Sequence, residues 1–357
     1  MDGKINTSKE LAARAAALRD AGRPEAAAEL YLEMVARDPH DPEPHHHLGA
    51  LRAGQGRLDE AEAAYRRALA LAPGAAGTQR LLATLLLSQG RFAEGFALFE
   101  ARHLLPGMGK PDLPFPEWRG EDLAGKRLLI WPEQGFGDQI QFARFAPILQ
   151  ARGVDVTLLC RPALARLFAG SLGVRVLAAE GSVDFPDPDG WVMAGSLAGR
   201  LGITPQTVPG RPYLRASSAW PRRLAGDFKI GLATRGNPAF VNDANRSLPP
   251  AQAARLERLP GAVVDLDPAR TGAGDFADTA ALIDQLDLVI AVDTAVAHLA
   301  GAMGKPCWLL LSALGADWRW LRERTDTPWY PSMRLFRQSA PGDWDPVLQA
   351  VERALAG

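Results

Sequence analysis

Three short stretches of this chain set polar residues where a phosphate or a hydroxyl could be handled. The first is Glu133-Gln134-Gly135-Phe136-Gly137-Asp138-Gln139-Ile140-Gln141, directly after the apolar run RLLIW. Its two glycines allow a ligand to approach the backbone closely, and Asp138 falls at or near the start of a helix. A carboxylate in that place has two readings, a general base facing a ligand hydroxyl or a cap on the helix. Glu133, Gln134, Gly135, Gly137 and Gln141 are read as lining the same cleft edge.

The second stretch is LDLVIAV followed by Asp293-Thr294-Ala295-Val296-Ala297-His298, a strand running straight into a helix of small residues. Asp293 is expected at the N-cap, with Thr294 and His298 one turn apart on one face. Free N–H groups at that end would suit a diphosphate, and small side chains let the helix approach it. His298 could add a hydrogen bond or, if protonated, a charge; the alternative is a histidine satisfied within a packed core. The third stretch follows KIGLAT: Arg235-Gly236-Asn237-Pro238, then Asn242-Asp243-Ala244-Asn245-Arg246-Ser247. Arginine offers a planar fork for phosphate oxygens, so Arg235, Asn237 and Arg246 read as a mobile phosphate-gripping loop. A solvated loop is the plainer alternative.

These stretches need strands to carry them. From Lys126 onward short apolar runs alternate with helical segments: RLLIW, a helix near 139–151, VDVTLLC, a helix near 163–169, then VRVL. That alternation predicts an open parallel sheet. A Pro-broken connector around 204–223 follows, and the alternation restarts with KIGLAT, AVVDL, LDLVIAV and CWLLL. The pattern predicts two Rossmann-like lobes, at 126–223 and 224–357, with ligands bound at the carboxyl ends of their strands.

Ahead of the lobes the chain repeats. Gly22, Gly56 and Gly90 recur every 34 residues, as do Tyr31, Tyr65 and Phe99, with Ala27, Ala61 and Gly95 as a small-residue column. Pro39 and Pro73 close the first two units. The spacing predicts three helix pairs over 1–105 whose stacking forms a groove for a peptide or a neighbouring domain, with a Pro/Gly-rich linker at 106–125. His45, His46 and His47 point in different directions on a helix and cannot converge on one ion.

Composition narrows the function classes. Forty basic residues against forty-one acidic ones leave a net charge of −1, which gives no electrostatic case for nucleic acid as the main partner. No run approaches a transmembrane segment and the first residues do not read as a secretory signal, so a cytoplasmic protein is expected. Cys160 and Cys307 sit at apolar strand-like runs and are expected as two buried thiols.

The 34-residue units resemble the tetratricopeptide repeat. The segments EQGFGDQIQFARFAPIL, NDANRSLP, DFADTAALIDQLDLVIAVDTAVAHLAGAMGKPCWLLL and DWRWLRERTDTPWYPSMRLFRQ resemble bacterial tetratricopeptide-repeat glycosyltransferases related to the family 9 heptosyltransferases. The resemblance covers essentially the whole chain. It implies a GT-B fold, with the acceptor on the N-terminal lobe and a nucleotide-sugar on the C-terminal lobe, without a metal or other cofactor. It assigns Asp138 as general base and Asp293, Thr294 and His298 to the donor phosphates. Where the family carries a Lys after the first strand of the C-terminal lobe, this chain has Arg235 and, later, Arg246.

The expectation is therefore an inverting, metal-independent transfer of a sugar from a nucleoside diphosphate to a hydroxyl, the repeats recruiting a protein or peptide acceptor. Two other classes stay open: an interaction protein that retains nucleotide binding without catalysis, and a nucleotide-sugar epimerase. The Trp- and Arg-rich segment 318–338 could stack on a base or sugar ring, or pin the C-terminal helix; Trp318 and Trp320 are read as packing residues.

Overall fold

The computed structural model describes residues 7–217 and 219–357. The chain divides into two compact units, Met1–Pro111 and Asp112–Gly357. The division falls inside the stretch expected as a linker, and the two expected lobes lie together in the second unit.

The first unit is helical: α1 (Ser8–Asp20), α2 (Pro24–Arg37), α3 (Pro42–Gly54), α4 (Leu58–Leu71), α5 (Ala76–Ser88) and α6 (Phe92–Phe99). Helices pair as α1 with α2, α3 with α4 and α5 with α6. Each first helix ends where Gly22, Gly56 or Gly90 takes a φ of 71°, 74° or 79°, which an L side chain rarely adopts. The next N–H then turns back onto the helix: Arg23 donates to Leu18 O, Arg57 to Arg52 O and Arg91 to Leu86 O, each at 2.9 Å. Ala27 and Ala61 are fully buried, and Tyr31, Tyr65 and Phe99 fill the seams beside them. The approach is closest where Gly49 meets Tyr65, since a Cβ there would lie 2.5 Å from the ring. His47 stacks on Tyr31 with ring centroids 5.0 Å apart, and His46 Nδ1 lies 2.8 Å from Thr78 Oγ1.

The second unit carries two parallel sheets. The first contains β1 (Arg127–Trp131), β2 (Asp155–Cys160), β3 (Arg175–Ala178) and β4 (Gly190–Met193), in the order β3-β2-β1-β4, with α7 (Phe136–Ala143), α8 (Phe145–Ala151), α9 (Pro162–Ser171) and α10 (Leu197–Arg200). The second contains β5 (Lys229–Ala233), β6 (Ala262–Asp265), β7 (Leu288–Val292), β8 (Cys307–Leu311) and β9 (Met333–Arg337), in the order β6-β5-β7-β8-β9. Its helices are α11 (Asp243–Arg246), α12 (Pro250–Leu256), α13 (Pro268–Thr271), α14 (Phe276–Asp284), α15 (Ala295–Ala302) and α16 (Asp345–Ala356).

Every residue of β4 and β7 is buried, as strands covered on both faces require. Ile230, Leu232, Ile290, Val292 and Leu310 meet Leu256, Leu348 and Val351 of α12 and α16 in one cluster. In each sheet the strand order reverses beside its first strand, between β1 and β4 and between β5 and β7. Ligands of open α/β sheets bind outside such reversals. The loops that leave β1, β5 and β7 are the three stretches singled out above.

Several boundaries differ from the sequence expectations. The helix expected near 139–151 begins at Phe136 and is split into α7 and α8, because Pro147 has no N–H to return to the Ala143 carbonyl. Strand β4 was hidden behind the Pro/Asp-rich turn FPDPDG, and β9 lies within the aromatic segment. Cys160 and Cys307 are both free and buried, and burial pushes each thiol up to about 12. Among the described residues no helix is long and apolar enough to cross a membrane.

Candidate functional site

The turn after β1 delivers Asp138. Gln134 takes a φ of 60°, a left-handed conformation costing a non-glycine residue roughly 1–2 kcal/mol. Gly135 is extended and acts as N-cap of α7, which puts Asp138 at the third helical position. Asp138 Oδ2 accepts the Gly135 N–H at 2.9 Å, so the capping role is real. Its Oδ1 does something else: it accepts from the guanidinium of Arg319, in the other lobe. Burial raises the Asp138 carboxyl above the ordinary aspartate value, Arg319 pulls it back down, and the nearby Asp317 carboxylate raises it again.

Arg319, on a short 3₁₀ turn at Trp318–Trp320 after β8, escaped the sequence reading. Its side chain is 4% exposed. The guanidinium donates to Gln141 Oε1, to Asp138 Oδ1 and to both oxygens of Asp317 at 2.9 and 2.8 Å, and lies 4.6 Å from the Trp318 ring centroid. Burial alone would lower its pKa, but Asp317 and Asp138 raise it above the usual arginine value. The available signal was an arginine between two tryptophans with an aspartate two residues before it, since a charge inside an otherwise apolar segment must be paired. Gln141, expected to line an open cleft, is instead fully buried beneath this arginine, and its Nε2 has no hydrogen-bond partner.

The β7 turn corrects a second expectation. The N-cap of α15 is Thr294, not Asp293, and no side chain caps this helix; the Thr294 Oγ1 is buried without a partner. Asp293 ends the strand and turns its carboxylate to the Trp320 indole, accepting Nε1–H at 2.8 Å. Desolvation, then Asp317, push the Asp293 carboxyl up to about 6. His298 is 5% exposed, lies 2.9 Å through Nδ1 from the Tyr330 hydroxyl and packs on Trp320 with centroids 5.1 Å apart. Burial, then Arg319 and Arg144, hold it well below its ordinary value. It is a neutral packed residue in this arrangement, and supplies no charge. Its ring also presses on Gly137 of α7, where a Cβ would sit 2.7 Å from Cδ2.

The β5 loop brings one of its two arginines inward. Arg246 donates to the Asp293 carbonyl at 2.8 Å and to Asp243 Oδ1 at 2.9 Å, while Asp243 also accepts from Ser247 and the Ser247 hydroxyl accepts the Gly236 N–H. Arg235 and Asn237 are exposed, and Asn237 spends its Oδ1 on the Ala239 N–H. The structure thus brings Asp138, Gly137, Gln141, Asp293, His298 and Arg246 into one connected region and leaves Arg235 and Asn237 outside it. Glu133 and Gln134 are half-buried at its edge.

Two further contacts join the lobes here. Arg144, at the junction of α7 and α8 and 1% exposed, donates to the carbonyls of Gln141, Pro209 and Trp329 at 2.8, 3.2 and 2.8 Å and lies over the Tyr330 ring at 4.7 Å. On the surface, Arg166 of α9 forks onto Asp275 at 2.9 and 2.7 Å and also reaches Asp278. Chemically, the region offers two carboxylates, Asp138 and Asp293, whose hold on a proton is strengthened by burial, beside arginines able to hold an anion. Among the described residues no group of three or more His, Cys, Asp or Glu is arranged to hold a metal ion.

Comparison with known proteins follows the same division. Tetratricopeptide-repeat profiles match residues 8–51 and 42–75, and the profile for glycosyltransferase family 9 (heptosyltransferase) matches residues 249–310. Protein FlbA of Caulobacter vibrioides is 31% identical over 363 residues, covering 86% of this chain; the chain spans 59% of the length of that relative. Among solved structures, MamA is 22% identical over 29% of this chain and 60% of its own, with a TM-score of 0.27. The Yersinia enterocolitica type III secretion translocator chaperone SycD, in a complex with a peptide of the translocator YopD, is 23% identical over 30% of this chain and 82% of its own, also with a TM-score of 0.27. The matches to the repeats and to residues 249–310 of the second sheet, with the relative that spans most of the chain, fit a tetratricopeptide-repeat protein with a glycosyltransferase family 9-like domain.

Proposed function

We propose that the protein transfers a sugar from a nucleoside-diphosphate-sugar to an acceptor hydroxyl, with inversion and without a metal. The observation that carries this reading is the position of Asp138, at the strand-order reversal of one sheet and bound by Arg319 of the 318–320 turn, whose Trp320 holds Asp293 at the reversal of the other. Asp138 accepts the acceptor's proton. The N–H groups at the start of α15 and the Arg246 guanidinium take the diphosphate as it leaves, with Arg235 and Asn237 of the same loop turning in to complete the grip. Thr294 Oγ1, buried without a partner, is a ready donor to a phosphate oxygen. His298 acts by packing the two helices together, not by charge. The repeats recruit the acceptor, a protein or peptide.

A second reading, nucleotide binding without transfer, is favoured by one feature: the Asp138 carboxylate is already engaged by Arg319 and the Gly135 N–H. Incubation with a panel of UDP-, GDP-, ADP- and CMP-sugars, followed by product analysis, separates the two. Donor hydrolysis or transfer supports the proposal. Binding with no turnover supports the second reading, and isomerised donor points to an epimerase.

A further inference from the structure

The Asp138 carboxylate is not held by its own lobe alone. We infer that Arg319 is a positioning residue for the proposed transfer: reaching over from the 318–320 turn, it fixes Asp138 in the place and orientation from which the carboxylate meets the acceptor hydroxyl. The inference rests on reading Asp138 as the base.

The geometry is that of a carrier, not of a stray surface pair. The guanidinium is 4% exposed, and its donors are divided among Gln141 on one side, Asp138 on the second and Asp317 on the third. A planar fork can span three acceptors at fixed angles, which a lysine ammonium on a flexible stem cannot. A carboxylate offers about four lone-pair positions. Arg319 takes one on Oδ1, the Gly135 N–H takes one on Oδ2 and the residue's own N–H takes a third, so one remains, and the Asp138 side chain is still 20% exposed. A hydroxyl can therefore reach it without displacing the arginine. As the acceptor oxygen bonds to the anomeric carbon, its proton passes to Asp138, and the bond to the diphosphate breaks with the electron pair leaving on phosphate oxygen.

The charged groups around Asp138 agree with this role. Arg319 and Asp317 face it from the 3₁₀ turn and the residue before it, Asp293 lies beyond Arg319 at the end of β7, Arg144 follows the last residue of α7, and His298 of α15 is neutral. Burial favours the protonated, useless form of the base; Arg319 opposes burial. Because Arg319 belongs to the other lobe, the base is set only while the lobes are together.

The test uses the full chain with Arg319→Gln and Arg319→Lys. A ¹³C-carboxyl NMR titration, with Asp138 assigned through Asp138→Asn, needs no substrate: the Asp138 midpoint should move up by about one unit or more in Arg319→Gln and by less in Arg319→Lys. An unchanged midpoint would overturn the inference. With a working donor and acceptor, Arg319→Gln should lower kcat by about tenfold or more and shift the acid limb of the profile upward, leaving donor KM within about twofold. In the Asp138→Asn background the same substitution should cost no further turnover; an equal further loss would show that Arg319 acts independently of Asp138. If Arg319→Gln does not fold, Arg319→Lys carries the test, keeping the charge and losing the fork. A wild-type protein that turns over no donor would defeat the functional reading, while the titration still decides whether Arg319 sets Asp138.

Discussion

Asp138 holds two offices at once, helix cap and partner of a buried arginine, and its variants should separate them. Asp138→Asn keeps one acceptor oxygen but loses the charge facing Arg319, so a stability loss of roughly 1–3 kcal/mol is expected. Turnover with a matched donor should fall by about 10²-fold or more if the residue is the base. Steady-state kinetics beside urea denaturation check both, and near wild-type turnover would remove Asp138 from the mechanism. Asp293 makes a pH-dependent prediction. Its folded value, about 6, is above the unfolded one, so the folded state is favoured below the unfolded pKa and loses that advantage as pH rises toward 6. Asp293→Asn can still accept from the Trp320 indole and removes the ionisation. Its stability relative to wild type should therefore climb between about pH 4 and 6 and stay level above, in denaturation curves run across that range. The carboxylates were legible in the sequence because each follows a strand-like run and opens a helix. Arg319 was not, because the neighbouring Asp317 announces only a paired charge, while Gln141 and Asp138, the partners that tie it to the other lobe, lie 178 and 181 residues away.

At the scale of elements, the contact of α7 with α15 decides how the turns meet. Gly137 gives His298 room, and Gly137→Ala would place a methyl 2.7 Å from the imidazole. Overpacking of this kind costs about 1–3 kcal/mol, and His298→Ala in the same chain should return part of it. Thermal melts of the single and double variants check this; a single variant melting like wild type would mean the helices do not touch in solution. The strands and helices of both sheets follow from apolar runs and their punctuation, which is why β1, β2, β3, β5, β6, β7 and β8 could be read directly. Strand β4 could not, as GWVM is short and follows two prolines. The Thr294 cap was missed because the strand-to-helix turn takes one more residue than the motif suggests, and cap geometry is set by backbone angles that composition does not fix.

At the scale of the whole molecule the two units carry separate buried clusters, the repeats around Tyr31 and Tyr65 and the sheets around Ile230 and Ile290. Calorimetry should accordingly resolve two transitions, and residues 112–357 expressed alone should retain donor binding while losing capture of a macromolecular acceptor. Equal use of that acceptor by the shortened protein would show that the repeats do not recruit it. The 34-residue period made the array the most legible part of the chain, because each of its contacts is local in sequence.

Within the α/β unit the ties between the lobes answer to different solvents. Arg144 is sealed from water, whereas the Arg166 side chain is 50% exposed and faces Asp275 and Asp278 where salt can reach it. Ions weaken an exposed pair and leave a buried one nearly untouched. Of the two ties, ionic strength therefore acts on the exposed one at Arg166 and spares the buried one at Arg144. Hydrogen exchange at low and high salt should show the amides of α9 and α14 exchanging faster as salt rises, while those of α7 and α15 hold their protection.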